Sequence, residues 1–598
     1  MASGNSTTPQ RWIDHPIVRL LRVYAWRFRW SYFAGGLFLI LTNYLAVSIP
    51  GQIGHAVDAL RAGTPVDVYV WTIAAMGVAV IIVRTTSRIL IFNPGRHQEY
   101  LIRRDVFAKL MRLQPSFFAT TTRGDIVSRA SNDVTWVRTL VGFGGLQVMN
   151  VATAVTLTGW KMVEISPRLT LATVLPIAIG LVIVQWAIRR VFTLSRRAQE
   201  QLGEISEHVL GSLQGMGAIQ GFSAEDAFIK RFEERNEGWL KTSLRLAVIR
   251  SVALPLLVLA GGLATYLLVA VGGPLALSGA LSVGELAAFA ALLTVLMPPL
   301  RSLGWLLSVV ARGRAALERI FELLDAPEDR PDRQAPVAVQ AGRGPALSLR
   351  GLSFAYPGSD DRPVLQDVSV ELPAGAMIGL FGRTGSGKST LLSLIARLFN
   401  PPRGTLFVDG RDILDLDLES WRRCIAMAPQ RPFLFSDTIA TNIALSGSPD
   451  EEAVAESVRL AAMDGDVRNL PDGLETTVGE RGIMLSGGQR QRVALARGLH
   501  RQADLLILDD VLSAVDHTTE SRLIATLAEF AHRPQAPTVM IASHRLSALR
   551  RTDLVLVLDQ GRLVDQGTHA ELIERPGLYR DTWHAQKAGT KVPEEAAS

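Results

Sequence analysis

Gly382–Ser389 reads GRTGSGKS and meets every fixed position of the pattern G-x-x-x-x-G-K-[ST]. Glycines at 382, 385 and 387 let the backbone curl until successive N–H groups point inward, and a helix opening at the lysine adds its positive dipole end. In such a loop Gly382, Thr384, Gly385, Ser386, Gly387 and Thr390 line a cradle for phosphate oxygens. Lys388 reaches the β- and γ-phosphates, and Ser389 ligates Mg2+. The flanks agree: Ala376–Phe381 (AMIGLF) suits a buried strand, and Thr390–Leu398 (TLLSLIARL) has the apolar spacing of a helix. This stretch binds a nucleoside triphosphate.

Other residues supply matching chemistry. Leu505–Asp509 (LLILD) is an apolar run ending in a carboxylate, which places Asp509 in the Mg2+ shell. Gln430 follows a strand-like run and is a candidate sensor of metal and γ-phosphate. His544 follows TVMIAS and is a candidate γ-phosphate contact. Tyr356, in FAYPG, is placed to stack on a base. Leu485, Ser486, Gly487, Gly488 and Gln489 (LSGGQ) open a second glycine-led helical pattern, hence a second anion site.

These residues need a scaffold, and the rest of the chain describes it. At 598 residues the chain exceeds one core. A mean hydropathy of +0.22 with 20% charged residues is apolar for a soluble protein. One cysteine, Cys424, excludes a disulfide framework and a cysteine metal cluster. Met1–Trp30 is polar and then basic-amphipathic, unlike a cleavable signal peptide. Arginines 19, 22, 27 and 29 among Leu, Val, Tyr and Trp favour an interfacial helix over the start of a membrane span. Six apolar segments follow, near 31–50, 68–92, 139–163, 168–188, 246–271 and 283–311. Each is long enough for a hydrocarbon core that takes about 20 helical residues to cross.

The connections alternate. Those at 93–138 and 189–245 are long and rich in Arg and Lys; the others are short and poor in them. The positive-inside rule puts both long connections and both termini in the cytoplasm, which accounts for the net charge of +6 without nucleic acid. His97–Gln114 and Ser195–Gln220 keep helical spacing, so the spanning helices continue beyond the membrane by roughly 35 Å. Their tips, Phe117–Asp125 and Gly221–Asp226, are expected to press on a cytoplasmic partner domain. Phe117, Asp125 and Phe222 are the coupling candidates. Asn43, Arg84, Asn150 and Gln185 are costly in lipid and are expected to face an interior or a water-filled cavity; Arg84 is a candidate to meet an acidic substrate group, with snorkelling or pairing to a neighbouring helix as the alternatives. The expected layout is a cytoplasmic N-terminus with an interfacial helix (1–30), a transmembrane domain (31–324), a Pro- and charge-rich linker (325–343), an α/β nucleotide-binding domain (344–585) and a disordered tail (586–598).

Taken together, the chain resembles an ATP-binding cassette exporter half-transporter of the type IV, multidrug- and lipid-exporter-like kind. The resemblance covers Ile17 to about Gln586. It rests on Walker A (Gly382–Ser389), Q-loop Gln430, signature LSGGQ, Walker B (Leu505–Asp509), D-loop SAVD ending at Asp516 and H-loop His544, in the family's order. FFATTTRGDIVSRASNDV and GFSAED at the two tips add to it. It implies a multidomain membrane protein: a six-helix all-α transmembrane domain followed by an α/β P-loop domain, with ATP and Mg2+ as ligands. It also implies head-to-tail dimers in the plasma (inner) membrane, each ATP lying between one half's Walker A and the other half's LSGGQ.

One position departs from the family. The residue after Asp509 normally is glutamate, the base that polarises the attacking water, and here it is Asp510. Its carboxylate is one methylene short, and a misplacement of ~1 Å costs on the order of 10² in rate. Heterodimeric exporters often pair such a shortened carboxylate with an intact signature on the same chain. The expectation is therefore the degenerate-site subunit of a heterodimer, exporting amphipathic compounds, lipids or peptides. An importer on the same fold, as in some siderophore systems, and a regulatory ATP-binding subunit are the alternatives.

Overall fold

The computed structural model describes residues 15–328, 342–356, 362–445, 449–479, 484–513, 515–533 and 536–587. They divide into two compact units: residues 1–111 with 123–326, and residues 112–122 with 327–598.

The first unit is helical. Pro16–Leu20, a π turn at Leu21–Ala25 and a 3₁₀ turn at Trp26–Phe28 lead into the first long helix, Arg29–Ala62. Val18, Leu21, Val23, Trp26 and Trp30 are exposed along this run, whereas Leu20 and Tyr24 are buried. The second helix is Asp67–Leu110. The third is a run from Arg123 to Ile165, loosened by π turns at Arg129–Asp133 and Leu140–Gly144. Pro167–Gln214, Glu225–Leu277 and Val283–Asp325 complete the set. Among the described residues, six helices are long and apolar enough to cross a membrane. The fourth and fifth have 48 and 53 residues, roughly 70–80 Å of helix, far more than the hydrocarbon core requires.

Their ends follow from local chemistry. Gly63 closes the first helix at φ 68°, a left-handed conformation that suits glycine. Ser166 caps the fourth helix ahead of Pro167, and Ser282 with Glu285 forms a capping box on the sixth. The first and sixth helices touch backbone to backbone at Gly54 and Gly284. A Cβ on Gly54 would lie 2.6 Å from the Gly284 carbonyl, and one on Gly284 would run into the Gly54 carbonyl and lie 2.5 Å from the Asp58 carboxylate. That approach lets Asp58 accept from Ser282 Oγ at 2.5 Å and from Gly284 N at 2.7 Å. Small residues at such crossings let membrane helices pack through van der Waals contact. Towards the other end of the bundle, Arg319 grips the buried Asp133 with two hydrogen bonds, at 2.5 and 2.8 Å. Arg129 bridges Asp125 and Glu322, and Arg19 pairs with Asp325 while lying over the Phe321 ring.

The polar residues of the spans fall in two settings. Asn43 is buried and donates to Thr153 Oγ1 at 2.5 Å and to the Asn150 carbonyl at 3.4 Å. Arg84 and Gln185, by contrast, are exposed on the surface of this chain, outside its packed interior. The expected linker also shifts: Asp325 is the last residue of the sixth helix, and residues 329–341 lie outside the described residues. Gln586 and Lys587, assigned to the tail, end the helix Leu578–Lys587, and residues 588–598 lie outside the described residues.

The second unit is α/β. Its strands are β1 (Leu347–Phe354), β2 (Leu365–Leu372), β3 (Met377–Gly382), β4 (Leu406–Val408), β5 (Arg411–Asp412), β6 (Ile425–Ala428), β7 (Asp437–Thr438), β8 (Thr477–Val478), β9 (Leu505–Asp509), β10 (Thr538–Ser543), β11 (Leu554–Asp559) and β12 (Arg562–Gly567). β2-β1-β4-β5 form an antiparallel sheet. β12-β11-β3-β10-β9-β6 form the main sheet, parallel except for β12. Successive residues of β3 enter opposite cores, Met377 and Phe381 one and Ile378 and Leu380 the other. Both faces are covered, which is why these strands read as unbroken apolar runs. Phe381 pairs with Ser543, Ala542 with Asp509, and Leu508 with Ala428. The C-terminal ends of β3, β10, β9 and β6 therefore lie side by side.

Gly284→Ala is expected to lower the temperature of half-unfolding by several degrees in a thermal scan of the detergent-solubilised protein, because backbone must move. Gly77→Ala, with nothing within 4 Å of the added carbon, is expected to leave it unchanged.

Candidate ATP-hydrolysing site

The phosphate loop follows β3 and runs into the helix Lys388–Ile395. Gly387 has φ 97°, and a Cβ there would lie 2.7 Å from Leu365 and 3.1 Å from the Val364 carbonyl. Lys388 Nζ donates to the carbonyls of Gly382 at 2.7 Å and Arg383 at 3.0 Å, and lies 3.4 Å from Ser386 Oγ. Burial pushes the ammonium down from its ordinary range, and the Asp510 and Asp509 carboxylates push it back up. Thr384 and Gly385 are exposed at the loop's crest, while Ser386 and Thr390 are buried beneath it. Tyr356 hydrogen-bonds Thr390 Oγ1 at 3.0 Å, and its ring meets Phe354 and Phe399 edge-on at 5.3 and 5.1 Å. The aromatic residue read from FAYPG is thus anchored beside the loop.

At the end of β9, Asp509 is buried. Burial pushes its carboxyl up, opposed by a hydrogen bond from Ser389. Asp510 turns the chain at φ 51°, a left-handed conformation that aspartate tolerates better than most residues. Its N–H donates to the Ala542 carbonyl at 3.0 Å, tying the turn to β10. That orientation brings Asp510 Oδ1 within 3.0 Å of His544 Nδ1 and Oδ2 within 3.4 Å of Gln430 Nε2. Three residues far apart in sequence, each following a strand of the main sheet, thus form one hydrogen-bonded group.

LSGGQ opens the 14-residue helix Gly487–His500. Ser486 Oγ accepts from Gln489 N at 3.2 Å, and Gln489 Oε1 accepts from Ser486 N at 2.9 Å, a reciprocal capping box. Leu485 is buried as the foot of the loop, and Ser486 and Gly487 are exposed. Gln489 Nε2 also donates to Asp466 at 2.9 Å. Asp516 caps the next helix, His517–Ala531, accepting from the backbone of Thr518 and Thr519; hydrogen bonds from the Thr518 and Thr519 hydroxyls, and then from the Thr519 backbone, hold its carboxyl well below the usual range. Ala514, within the D-loop, lies outside the described residues.

Some supporting residues carried no local signal in the sequence. Gln491, on the signature helix, donates to Ser513 Oγ at 3.3 Å and reaches the Gln430 carbonyl at 3.5 Å. Arg545 pairs with the buried Glu520 at 2.7 Å and donates to the Ser513 carbonyl at 2.9 Å. Each depends on a partner at least 20 residues away, which no local spacing rule reports.

Comparison with known proteins agrees with this geometry. The family model described as the ABC transporter transmembrane region matches residues 32–300, and that of the ABC transporter matches residues 365–513. The chain belongs to the ABC transporter family. It is 34% identical over 584 residues to the multidrug resistance-like ATP-binding protein MdlA of Escherichia coli, covering 95% of this chain and 97% of that protein. It is 36% identical over 484 residues to the ATP-dependent lipid A-core flippase of Pseudomonas aeruginosa, 79% of this chain and 77% of that protein. A solved bacterial Atm1-family ABC exporter with ATP bound superposes with a TM-score of 0.76 at 26% identity, covering 93% of this chain and 98% of that one. The chain is an ABC exporter whose ATPase domain is coupled to transmembrane transport.

The residues present suit the ligands of an ABC transporter. Gly387 lets the loop pack closely against Leu365 and the Val364 carbonyl at positive φ, and Lys388 lies among carbonyls at the loop. Ser389, Asp509 and Gln430 are the oxygen donors available to Mg2+, a hard cation that neutralises phosphate charge. Asp510, held by His544, is the group available to orient a water and take its proton.

The two tips differ. Pro115–Thr120 is a short helix with Phe117 against Phe118, and it falls in the second unit. Asp125 lies in the next helix and is bound by Arg129 at 2.8 Å. Met216–Gly221 forms the other tip, and Phe222 at its end is 86% exposed.

Asp510→Asn keeps the turn and its size but removes the negative charge. Nucleotide binding, measured by equilibrium dialysis, is expected to stay within about twofold, and hydrolysis at this site to fall by roughly 10² or more, in the range for loss of a general base.

Proposed function

We propose that this exporter moves amphipathic, lipid-like molecules outward across the plasma (inner) membrane as a dimer, both termini and the ATPase domain lying in the cytoplasm. Each ATP is closed between the Gly382–Ser389 loop of one chain and the LSGGQ of another, and closure is passed to the membrane helices through the tips. The hydrogen-bonded group Asp510–His544–Gln430 beside the phosphate loop carries the reading, because it joins a base, its orienting imidazole and a metal-sensing amide. The exposed ring of Phe222 supports a dimer: covering a phenyl ring stabilises by about 1.5–3 kcal/mol, and a second chain's ATPase domain supplies the cover.

Two observations support the substrate class. The lipid A-core flippase of Pseudomonas aeruginosa and the multidrug resistance-like protein of Escherichia coli are named for lipid movement and drug resistance. A cavity of about 660 Å³ among the first, third and sixth helices mixes polar His55 and charged Asp58, Lys161 and Glu285 with apolar Val47 and Leu292, a lining suited to a headgroup with its attached chain. The short carboxylate of Asp510 supports a further proposal: this chain is the slower half of a heterodimer, lending its intact LSGGQ to a faster site on a different chain.

The test is ATP-dependent movement of a fluorescent phospholipid and of a cationic amphipathic dye in proteoliposomes, measured beside phosphate release. Lys388→Ala is expected to weaken ATP binding at its own site and reduce both movement and hydrolysis. Phe222→Ala is expected to keep hydrolysis within about threefold while movement falls by an order of magnitude or more, since the covered ring is worth about 1.5–3 kcal/mol. Hydrolysis without movement of either probe by the wild-type protein would contradict the substrate class. Inward movement would contradict export.

A further inference from the structure

The C-terminal helix Leu578–Lys587 ends on the turn that carries His544. Gln586 Nε2 donates to the His544 carbonyl at 2.9 Å, and Gln586 Oε1 accepts from Leu546 N at 3.1 Å. A single primary amide thus matches one donor and one acceptor of the same backbone turn, as a strand partner does. Two simultaneous bonds fix the turn's rotation as well as its distance. Arg545, between the two bonded residues, is held by Glu520 and the Ser513 carbonyl. The turn is therefore restrained by both its backbone and its side chain.

The helix that brings Gln586 is itself tied to the phosphate loop's strand. Tyr579 is almost fully buried, and its ring meets Phe381 edge-on at 5.3 Å, one residue before Gly382. Its hydroxyl shares a 2.7 Å hydrogen bond with His569 Nδ1, and Trp583 packs on the His569 ring at 4.9 Å. The C-terminal helix therefore has one anchor under β3 and one on the His544 turn.

We propose that Gln586 is a positioning residue for ATP hydrolysis: it holds the His544 backbone so that the imidazole stays on Asp510. The inference rests on the reading that His544 and Asp510 act on ATP at this chain's site. Gln586 touches neither nucleotide nor water and acts only through His544.

The experiment uses the full-length transporter reconstituted in lipid, with the base of a faster partner site replaced by Gln so that turnover reports this chain's site, measuring kcat and KM for ATP and the unfolding midpoint of Gln586→Ala. The expected result is a kcat lower by about tenfold, the loss expected when two neutral hydrogen bonds are released together, with KM within twofold and the midpoint unchanged. Gln586→Glu keeps an acceptor for Leu546 N but loses the donor to the His544 carbonyl, so it is expected to lose kcat as well. On a His544→Ala background, followed over hours to register slow turnover, Gln586→Ala is expected to cost less than twofold further. A kcat within twofold of wild type would overturn the proposal, as would a loss that multiplies undiminished on His544→Ala or one that tracks a lowered midpoint in both variants. Failure of the wild-type protein to hydrolyse ATP would instead overturn the underlying reading of the site.

Discussion

The hydrogen bond between His544 and Asp510 is the contact on which the proposed chemistry of this protein depends. It requires Asp510 to turn at positive φ off the end of β9, and β10 to end level with it. The carboxylate then points to a ring and an amide brought by neighbouring strands, instead of back into the sheet. The buried apolar strands serve this one edge. Their alternation into two cores makes the sheet stiff, so the loops at its C-terminal ends hold their spacing.

In the helical unit the corresponding constraint is continuity. Helices of 43 to 53 residues can carry a displacement from one end to the other only if they are braced along their length. Glycine contact between the first and sixth helices braces one end, and the Asp133–Arg319 pair braces the other. Asp133 is buried, and the two hydrogen bonds it accepts from Arg319 hold the third helix to the sixth.

How much of this was legible in the sequence follows the range of the interactions. The phosphate loop, LSGGQ and the run ending at Asp509 are local, and glycine spacing and apolar length announce them before any packing is known. The ends of β9 and β10 fall at Asp509 and Ser543, where the apolar runs stop. Gln430 and His544 were legible as residues following strands, but their meeting at Asp510 depends on strand order. The roles of Arg545 and Gln491 depend on partners brought by other elements, and the sequence carries no periodicity for them. Arg84 shows where local reading stops: its cost in lipid is legible, but which face of the second helix it occupies is set by packing, and on this chain it is exposed. Likewise the polar composition near Gln586 reads as a tail, whereas Tyr579 and Trp583 hold the helix down to Lys587.

The central claim is that Asp510 is the base of this site and works at the limit of its reach. Phosphate release by the assembled transporter carrying Asp510→Glu, with the base of a faster partner site replaced by Gln so that release reports this chain's site, tests it most directly, since the added methylene changes reach and leaves charge alone. Regained reach offers on the order of 10², and a longer side chain at positive φ takes part of that back, at roughly 1–2 kcal/mol. The account predicts release faster by about fivefold or more, with ATP binding unchanged. Release that stays at the wild-type rate or falls, with ATP still bound, would contradict it.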